Sequence, residues 1–207
     1  MYSKILICSL PGGLRSFVMK VAYQLQVAIW YLTNKPIPTP HLIKINTILK
    51  YAKVYRILNF IETGTYFGET VDATKRYFRQ IYSIELNKKL YQITKRMFSK
   101  EKNIKIINGD SELVLPKLLK DIDSPCLFWL DAHYSGGFTA KGMNDIPAMQ
   151  EVSAISKNKI KNHVILIDDA RYFRENNSFK KMKRFIKKMF PNHKIKIDMD
   201  IIQIYQI

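Results

Sequence analysis

Short apolar runs alternate with polar stretches of helical length from residue 56 to the end of the chain. The apolar runs predict seven strands, at residues 57–63, 80–86, 103–109, 126–132, 163–169, 194–200 and 201–207. The intervening stretches predict helices at residues 69–78, 111–119, 147–156 and 177–189, and a further helix that follows the second strand and ends at about residue 99. This alternation predicts a mostly parallel α/β sheet with helices on both faces. The last two strands have little between them and predict an antiparallel hairpin at one edge.

Residues 1–55 follow a different pattern. Two apolar stretches, Phe17 to Leu32 and His41 to Tyr55, predict helices, and the segment NKPIPTP at residues 34–40 separates them because its prolines forbid a regular helix. We therefore predict an N-terminal helical extension, residues 1–55, before a main domain at residues 56–207. The extension is open to three roles: a lid, the contact surface of a homo-oligomer, or simple packing.

Composition limits the classes of partner and of scaffold that the protein can have. The 207 residues carry 34 Lys and Arg against 17 Asp and Glu, a formal net charge of +17. That excess favours anionic partners, such as nucleic acid, acidic lipid or acidic sugars, but a general richness in Ile, Lys and Asn explains it equally well. Cys8 and Cys126 lie far apart without a CxxC pattern, which argues against a disulfide scaffold.

No apolar stretch has the length expected of a membrane-spanning helix. The longest, Val18 to Leu32, is interrupted by Lys20, Gln24 and Gln26. The first residues carry one Lys and an apolar run too short for a secretory signal. We expect a cytoplasmic protein, with peripheral contact to a membrane left open.

Each of the first five predicted strands has an acidic residue at its carboxyl end. In an open parallel sheet, ligands bind beyond these ends. Taken singly, Asp110 and Asp169 are also well placed to cap the helices that follow. As a set, the acids indicate a binding site. The set consists of Glu62, Glu85, Asp110, Asp131 and the pair Asp168–Asp169.

The first strand leads into a turn that contains two glycines, ETGTYFGET at residues 62–70. Gly64 and Gly68 would let the backbone approach a ligand closely. The turn is neither a P-loop, since no GK[ST] follows, nor a GxGxxG fingerprint. Glu85 lies 21 residues beyond Gly64, at the end of the next strand, where an acid binds a ribose diol in nucleoside-binding α/β folds.

These motifs, with N-G-D-S after the third strand and an Asp after the fourth, resemble those of class I S-adenosylmethionine (SAM)-dependent methyltransferases. The resemblance covers residues 56–207 and implies a Rossmann-like, seven-stranded sheet whose last strand is antiparallel. It implies that Glu62, Gly64 and Gly68 line the methionine end of SAM, that Glu85 binds the ribose, and that Asp110 and Ser111 reach the adenine. The full set of implied SAM-binding residues is Glu62, Thr63, Gly64, Thr65, Gly68, Thr70, Glu85, Asp110, Ser111 and Asp131.

Three carboxylates at neighbouring strand ends, Asp131, Asp168 and Asp169, are suited to a hard cation such as Mg²⁺ or Mn²⁺. The arrangement is similar to that of metal-dependent O-methyltransferases that act on sugars, in which the ion holds two vicinal hydroxyls. This chain departs from the common form by the insertion HYSGGFTAKGMNDIP at residues 133–147. The glycines in this insertion favour its interpretation as a lid that covers the bound acceptor. The alternative is an ordinary surface loop.

The resulting prediction is an enzyme, a SAM-dependent O-methyltransferase acting on a sugar hydroxyl in glycan, capsule or glycolipid assembly. Asp131 or His133 is the candidate base, although His133 fits equally well as a loop histidine that only forms hydrogen bonds. Tyr134 is a candidate for the sugar face. Arg171 is a candidate for an anionic acceptor group, and pairing with local acids is the alternative.

The second candidate function is a nucleic-acid methyltransferase, which the net charge would suit. The fourth strand ends in LDAHYSG rather than the [DN]-P-P-[YF] turn of enzymes that methylate base amines. A 2′-O-methyltransferase of RNA stays open, although no lysine completes the K-D-K-E set typical of those enzymes.

Overall fold

The computed structural model describes residues 12–130, 147–173 and 178–206. By its contacts the chain divides into two compact units, Met1–Thr47 and Ile48–Ile207. The boundary at residues 55/56 inferred from the sequence stays a prediction. Within the described residues, no helix combines the length and apolar character needed to span a membrane.

The first unit contains helix α1, Gly12–Leu32, and the start of helix α2, His41–Val54. The α1 helix begins five residues earlier than predicted. It ends where Trp30 donates a hydrogen bond from Nε1 to the carbonyl oxygen of Pro36, over 2.6 Å. This bond ties the end of α1 to the proline-containing segment.

The second unit holds a seven-stranded sheet. Its strands are β1 (Asn59–Thr63), β2 (Gln80–Glu85), β3 (Ile104–Asn108), β4 (Cys126–Leu130), β5 (Val164–Ile167), β6 (His193–Asp198) and β7 (Ile201–Gln206). The helices are α3 (Glu69–Thr74), α4 (Lys88–Met97), α5 (Ser111–Leu118), α6 (Pro147–Ser156) and α7 (Ser178–Met189), with 3₁₀ turns at Leu119–Asp121 and Ala170–Phe173.

The strand order is β3-β2-β1-β4-β5-β7-β6. Strands β1 to β5 pair in parallel, β7 pairs antiparallel with both β5 and β6, and β6 forms the edge. The predicted fold class and the antiparallel C-terminal hairpin are confirmed. Because the five parallel strands share one direction, their carboxyl ends meet at one edge of the sheet.

The central strands are buried on both faces. Every residue of β4 and of β5 is buried, as expected of parallel strands covered by helices on each side. On α7, Met182 and Ile186 are fully buried while the lysines around them are exposed. The apolar stripe of α7 therefore belongs to the core, and its charged face is left to solvent.

Helix α3 is shorter than predicted, since it ends at Thr74 rather than at residue 78. The N–H of Arg79 already donates to the carbonyl of Leu58, next to β1, at 2.8 Å. The chain must straighten before that point to enter β2. Pairing with the sheet thus sets the end of this helix, which local helical pattern does not reveal.

Candidate functional site

The turn after β1 adopts a backbone conformation that favours glycine at two positions. Gly64 has φ +88° and Gly68 has φ +75°, and Tyr66 between them adopts φ +50°. A Cβ atom added to Gly68 would lie 2.7 Å from Cε2 of Phe98, beside α4. Gly68 therefore allows both the left-handed backbone and the close approach of the turn to Phe98.

Two hydroxyl groups connect this turn to the end of β1. Thr65 Oγ1 lies 2.6 Å from Ser83 Oγ, and Ser83 donates to Oε2 of Glu62, also over 2.6 Å. Glu62 and Ser83 are register partners in the parallel pair β1–β2, so their side chains emerge on the same face of the sheet. All three side chains are buried. Ser83 was missed at the sequence level, although its pairing with Glu62 follows from the register once β1 and β2 are aligned.

Glu85 joins the same turn to the end of β2. Its Oε2 accepts a hydrogen bond from the backbone N–H of Tyr66, and its Oε1 accepts one from the N–H of Asn87, each at 2.8 Å. Glu85 as a whole residue is only 6% exposed. Each carboxylate oxygen can accept a second hydrogen bond. The geometry therefore holds the acid in place and leaves it the capacity to accept from a diol.

Asp110 caps helix α5 after β3. Its Oδ1 accepts from the backbone N–H of Glu112 at 2.9 Å, the capping role that the sequence left open beside a binding role. Next to it, Asn108 donates from Nδ2 to the carbonyl oxygen of Glu85 at 2.8 Å. The ends of β2 and β3 are thereby joined side by side, with Ser111 at the first position of α5.

A cavity of about 550 Å³ lies against α5 and α6, and its lining includes Ser111, Glu112 and Glu151. Glu151 is 1% exposed and accepts a hydrogen bond from Oγ1 of Thr63 over 3.3 Å. Glu151 was not among the site residues predicted from the sequence. An available signal was its position within the apolar stripe of α6, between Ala148 and Val152, where an acid needs a polar partner.

The acids after β5 form a network with the hairpin turn. Asp168 and Asp169 are both buried, and Asp168 Oδ1 accepts from the N–H of Asp169 at 2.8 Å. Arg171 donates to Oδ1 of Asp169 at 2.8 Å and also pairs with Asp200, the last residue before β7. Burial acts to lower the pKa of Arg171, but the hydrogen bond that Arg171 donates to Asp200 and the nearby acidic charges outweigh it and raise the pKa. Arg171 thus stays positively charged and forms ion pairs with Asp169 and Asp200.

The structure brings the predicted residues together in two groups. One comprises Glu62, Thr65 and Glu85 around the glycine turn, and the other comprises Asp168 and Asp169 with Arg171. Thr63 is buried at the end of β1, and the carbonyl of Thr70 accepts from Oγ1 of Thr74 within α3. Three further predicted residues, Asp131, His133 and Tyr134, lie outside the described residues.

Among the residues with described positions, no three His, Cys, Asp or Glu side chains form a group that could hold a metal. The donor chemistry of Asp168 and Asp169 nevertheless suits a hard cation, because both supply carboxylate oxygens. A cation bound there would compete with the guanidinium of Arg171 for Asp169. The third predicted ligand, Asp131, belongs to the segment that is not described.

No protein-family model matches the chain, and no curated protein matches it. Solved structures match its fold. The SAH-bound methyltransferase PaMTH1 of Podospora anserina has a TM-score of 0.59 and 16% identity, over 96% of this chain and 98% of its own. The O-methyltransferase TomG of Streptomyces achromogenes, in complex with SAM, has a TM-score of 0.59 and 10% identity, over 90% of this chain and 89% of its own.

The 23S rRNA methyltransferase ErmE also matches, with a TM-score of 0.52 and 14% identity, over 78% of this chain and 68% of its own. At these identities the likeness concerns the fold, and one fold supports many reactions. The chain therefore has the Rossmann-like, seven-stranded fold found in methyltransferases.

Proposed function

We propose that the protein is a SAM-dependent O-methyltransferase. The observation that carries the proposal is Glu85, whose buried carboxylate is held by the N–H groups of Tyr66 and Asn87 at the end of β2. This acid stands beside a turn in which Gly64 and Gly68 adopt positive φ angles that favour glycine. The fold and the motifs agree with the same function.

The residues at the sheet edge fit SAM in order along the strand ends. The turn at residues 64–68 would receive the methionine part, and Glu85 would accept hydrogen bonds from the ribose hydroxyls. Asp110 and Ser111 would contact the adenine. Thr63, Thr65 and Thr70 would support the turn, as the hydrogen bond between Thr65 and Ser83 does in the structure.

When bound, SAM supplies a methyl group on a sulfonium; an acceptor oxygen forms the new C–O bond as the C–S bond breaks, which leaves S-adenosylhomocysteine. The protein must align the acceptor with that bond and remove the hydroxyl proton. We assign proton removal to Asp131 or His133. Asp131, Asp168 and Asp169 would hold a divalent cation, whose contribution is to lower the pKa of the acceptor hydroxyl.

For the acceptor we propose a sugar hydroxyl in a glycan, capsule polysaccharide or glycolipid precursor. Tyr134 would pack against the sugar face. Arg171 would bind an anionic group on the acceptor only by giving up part of its pairing with Asp169 and Asp200. For that reason we expect Arg171 to contribute less to acceptor binding than the other proposed acceptor residues.

RNA is the second candidate acceptor, through methylation of a 2′-hydroxyl. One observation favours it. The exposed face of α7 carries six cations, and none of them pairs with an acid among the described residues. The six are Lys180, Lys181, Lys183, Arg184, Lys187 and Lys188. A phosphate backbone is attracted to such a surface.

Calorimetric titration with SAM and with S-adenosylhomocysteine tests the cofactor assignment. We expect micromolar binding to the wild type. Glu85→Ala should weaken it by about 10–100-fold, since a hydrogen bond to a charged group contributes about 1.5–3 kcal/mol. Glu101→Ala is the matched control, because Glu101 lies before β3, away from the strand ends, and pairs with Lys75.

Unchanged affinity in folded Glu85→Ala would refute the ribose assignment. Absence of binding in the wild type would refute the methyltransferase proposal itself. With SAM bound, methyl transfer to oligosaccharides and to RNA is then followed by mass spectrometry. We expect a methylated sugar, and we expect EDTA to stop transfer without releasing SAM; methylated RNA would favour the alternative.

A further inference from the structure

Helix α1 exposes a row of large apolar side chains. Val21, Leu25, Ile29 and Leu32 are spaced by four, four and three residues, so they lie along one side of the helix. Leu25 and Ile29 are 58% and 59% exposed, and Leu32 is 84% exposed. We call this row the α1 stripe. Trp30, by contrast, is buried on another side of the same helix.

The part of the chain that carries the α1 stripe contains no acid. All 17 Asp and Glu residues lie at position 62 or later. The first 61 residues hold eight cations, Lys4, Arg15, Lys20, Lys35, Lys44, Lys50, Lys53 and Arg56. An exposed apolar row therefore occurs in a segment whose charged side chains all have one sign.

We propose that the α1 stripe docks on the surface of a bilayer that contains anionic lipids. A helix with an exposed apolar side and neighbouring cations can bury that side among acyl chains near the headgroups. The cations of the same segment are attracted to the negative surface potential of anionic lipids. Lipid tails accept apolar side chains without the shape complementarity that a protein partner requires.

A second copy of the chain fits the α1 stripe less well. A standard protein interface uses about 20–30 residues from each side, and the stripe offers four. Association of two copies through α1 would also bring together two segments that carry only positive charge. Both arguments favour lipid as the occupant.

Helix α7 provides an internal comparison. It also carries a dense set of cations, but its apolar residues Met182 and Ile186 are fully buried in the core. It can attract an anionic surface but has no apolar row to insert. The proposal therefore assigns membrane binding to α1, with α7 adding only electrostatic attraction.

Vesicle sedimentation with the full chain tests the proposal. We expect the wild type to sediment with vesicles of phosphatidylcholine mixed with phosphatidylglycerol, and at least tenfold less with phosphatidylcholine alone. Leu25→Asp/Ile29→Asp should reduce sedimentation at least tenfold. The matched control is Gln24→Asp/Gln26→Asp, which adds the same two charges at exposed positions of α1 on either side of the stripe; it should stay within threefold of the wild type.

Four results would overturn the proposal. The first is wild-type protein that binds neither type of vesicle, and the second is equal loss in the stripe variant and its control. The third is a wild-type dimer in light scattering that Leu25→Asp/Ile29→Asp converts to monomer without any vesicle binding. Loss of binding in Lys183→Gln/Lys187→Gln, with the stripe variant unaffected, would assign the membrane contact to α7 instead.

Discussion

Gly68 shows how one residue can shape the turn at the candidate site. Its φ of +75° lies in the left-handed region, and a Cβ atom there would meet the ring of Phe98 at 2.7 Å. We expect Gly68→Ala to lower the free energy of unfolding by about 1–3 kcal/mol, through backbone strain and this contact. Urea unfolding at neutral pH measures the change.

The Phe98→Leu background separates the two causes. If the ring contributes, Gly68→Ala should cost less in Phe98→Leu than in the wild type, and the remaining cost reports the left-handed backbone. Gly68→Ala protein as stable as the wild type would contradict the conformation described for this turn.

The residues around the candidate site differed in how well the sequence revealed them. Glu62 and Glu85 stand at the ends of predicted strands, and the structure places both beside the glycine turn. Ser83, Glu151 and Asp200 carry equally specific hydrogen bonds but were missed. Their partners lie 21, 88 and 29 residues away, so the identity of each partner becomes visible only in the tertiary fold.

Among the elements, β4 and β5 are joined by a buried histidine. His163 accepts a hydrogen bond at Nδ1 from the N–H of Cys126, at the start of β4, over 3.0 Å. Burial lowers the pKa of His163 to about 4, so the imidazole is neutral in the folded protein at pH 7. This agrees with the structural role that its position before a strand suggests.

The low pKa predicts a loss of stability in acid. The unfolded chain takes up a proton near pH 6.5 while the folded protein resists it to about pH 4, so the stabilisation is complete above pH 6.5 and falls between these values. We expect the free energy of unfolding to drop by about 2 kcal/mol from pH 7.5 to pH 5 on account of this residue. Denaturant titrations at a series of pH values measure it.

His163→Asn is the comparison variant, because its side-chain oxygen can still accept from Cys126. Its stability should depend less on pH over this range, although His193, whose pKa burial also lowers, retains a share of the dependence. An identical pH dependence in the two proteins would contradict the assignment to His163.

At the level of elements, the sequence predicted the position of all seven strands along the chain and the antiparallel pairing of the last two, but not the order of the strands in the sheet. Apolar runs bounded by turn residues are a strong signal when both faces of a strand are buried, as in β4 and β5. The 3₁₀ turn at Ala170–Phe173 was not predicted. It follows Asp169, at φ +56°, and depends on bonds from Arg171 to the distant Asp200, which local pattern cannot encode.

For the whole molecule, the net charge of +17 is the dominant electrostatic feature. Repulsion among the cations opposes the compact state, and salt weakens that repulsion as the Debye length falls from about 30 Å at 0.01 M to about 8 Å at 0.15 M. We expect the Tm to rise by about 2–6 °C between 10 and 150 mM NaCl. Thermal unfolding followed by circular dichroism measures this shift.

KCl at the same ionic strengths is the control, because screening depends on ionic strength and not on which cation is added. A Tm that falls with salt would mean that attractive pairs, such as Lys75 with Asp72 and Glu101, outweigh the repulsion.

The position of β7 bears on how the protein is made. Ile201–Gln206 is synthesised after both β5 and β6, yet in the sheet it lies between them. Until it arrives, the nascent chain presents the unpaired edge of β5, whose four residues are all apolar. Such an edge invites pairing with other chains. We therefore expect chaperones or a low growth temperature, which protect the edge of β5 until β7 has been synthesised, to increase the yield of folded protein.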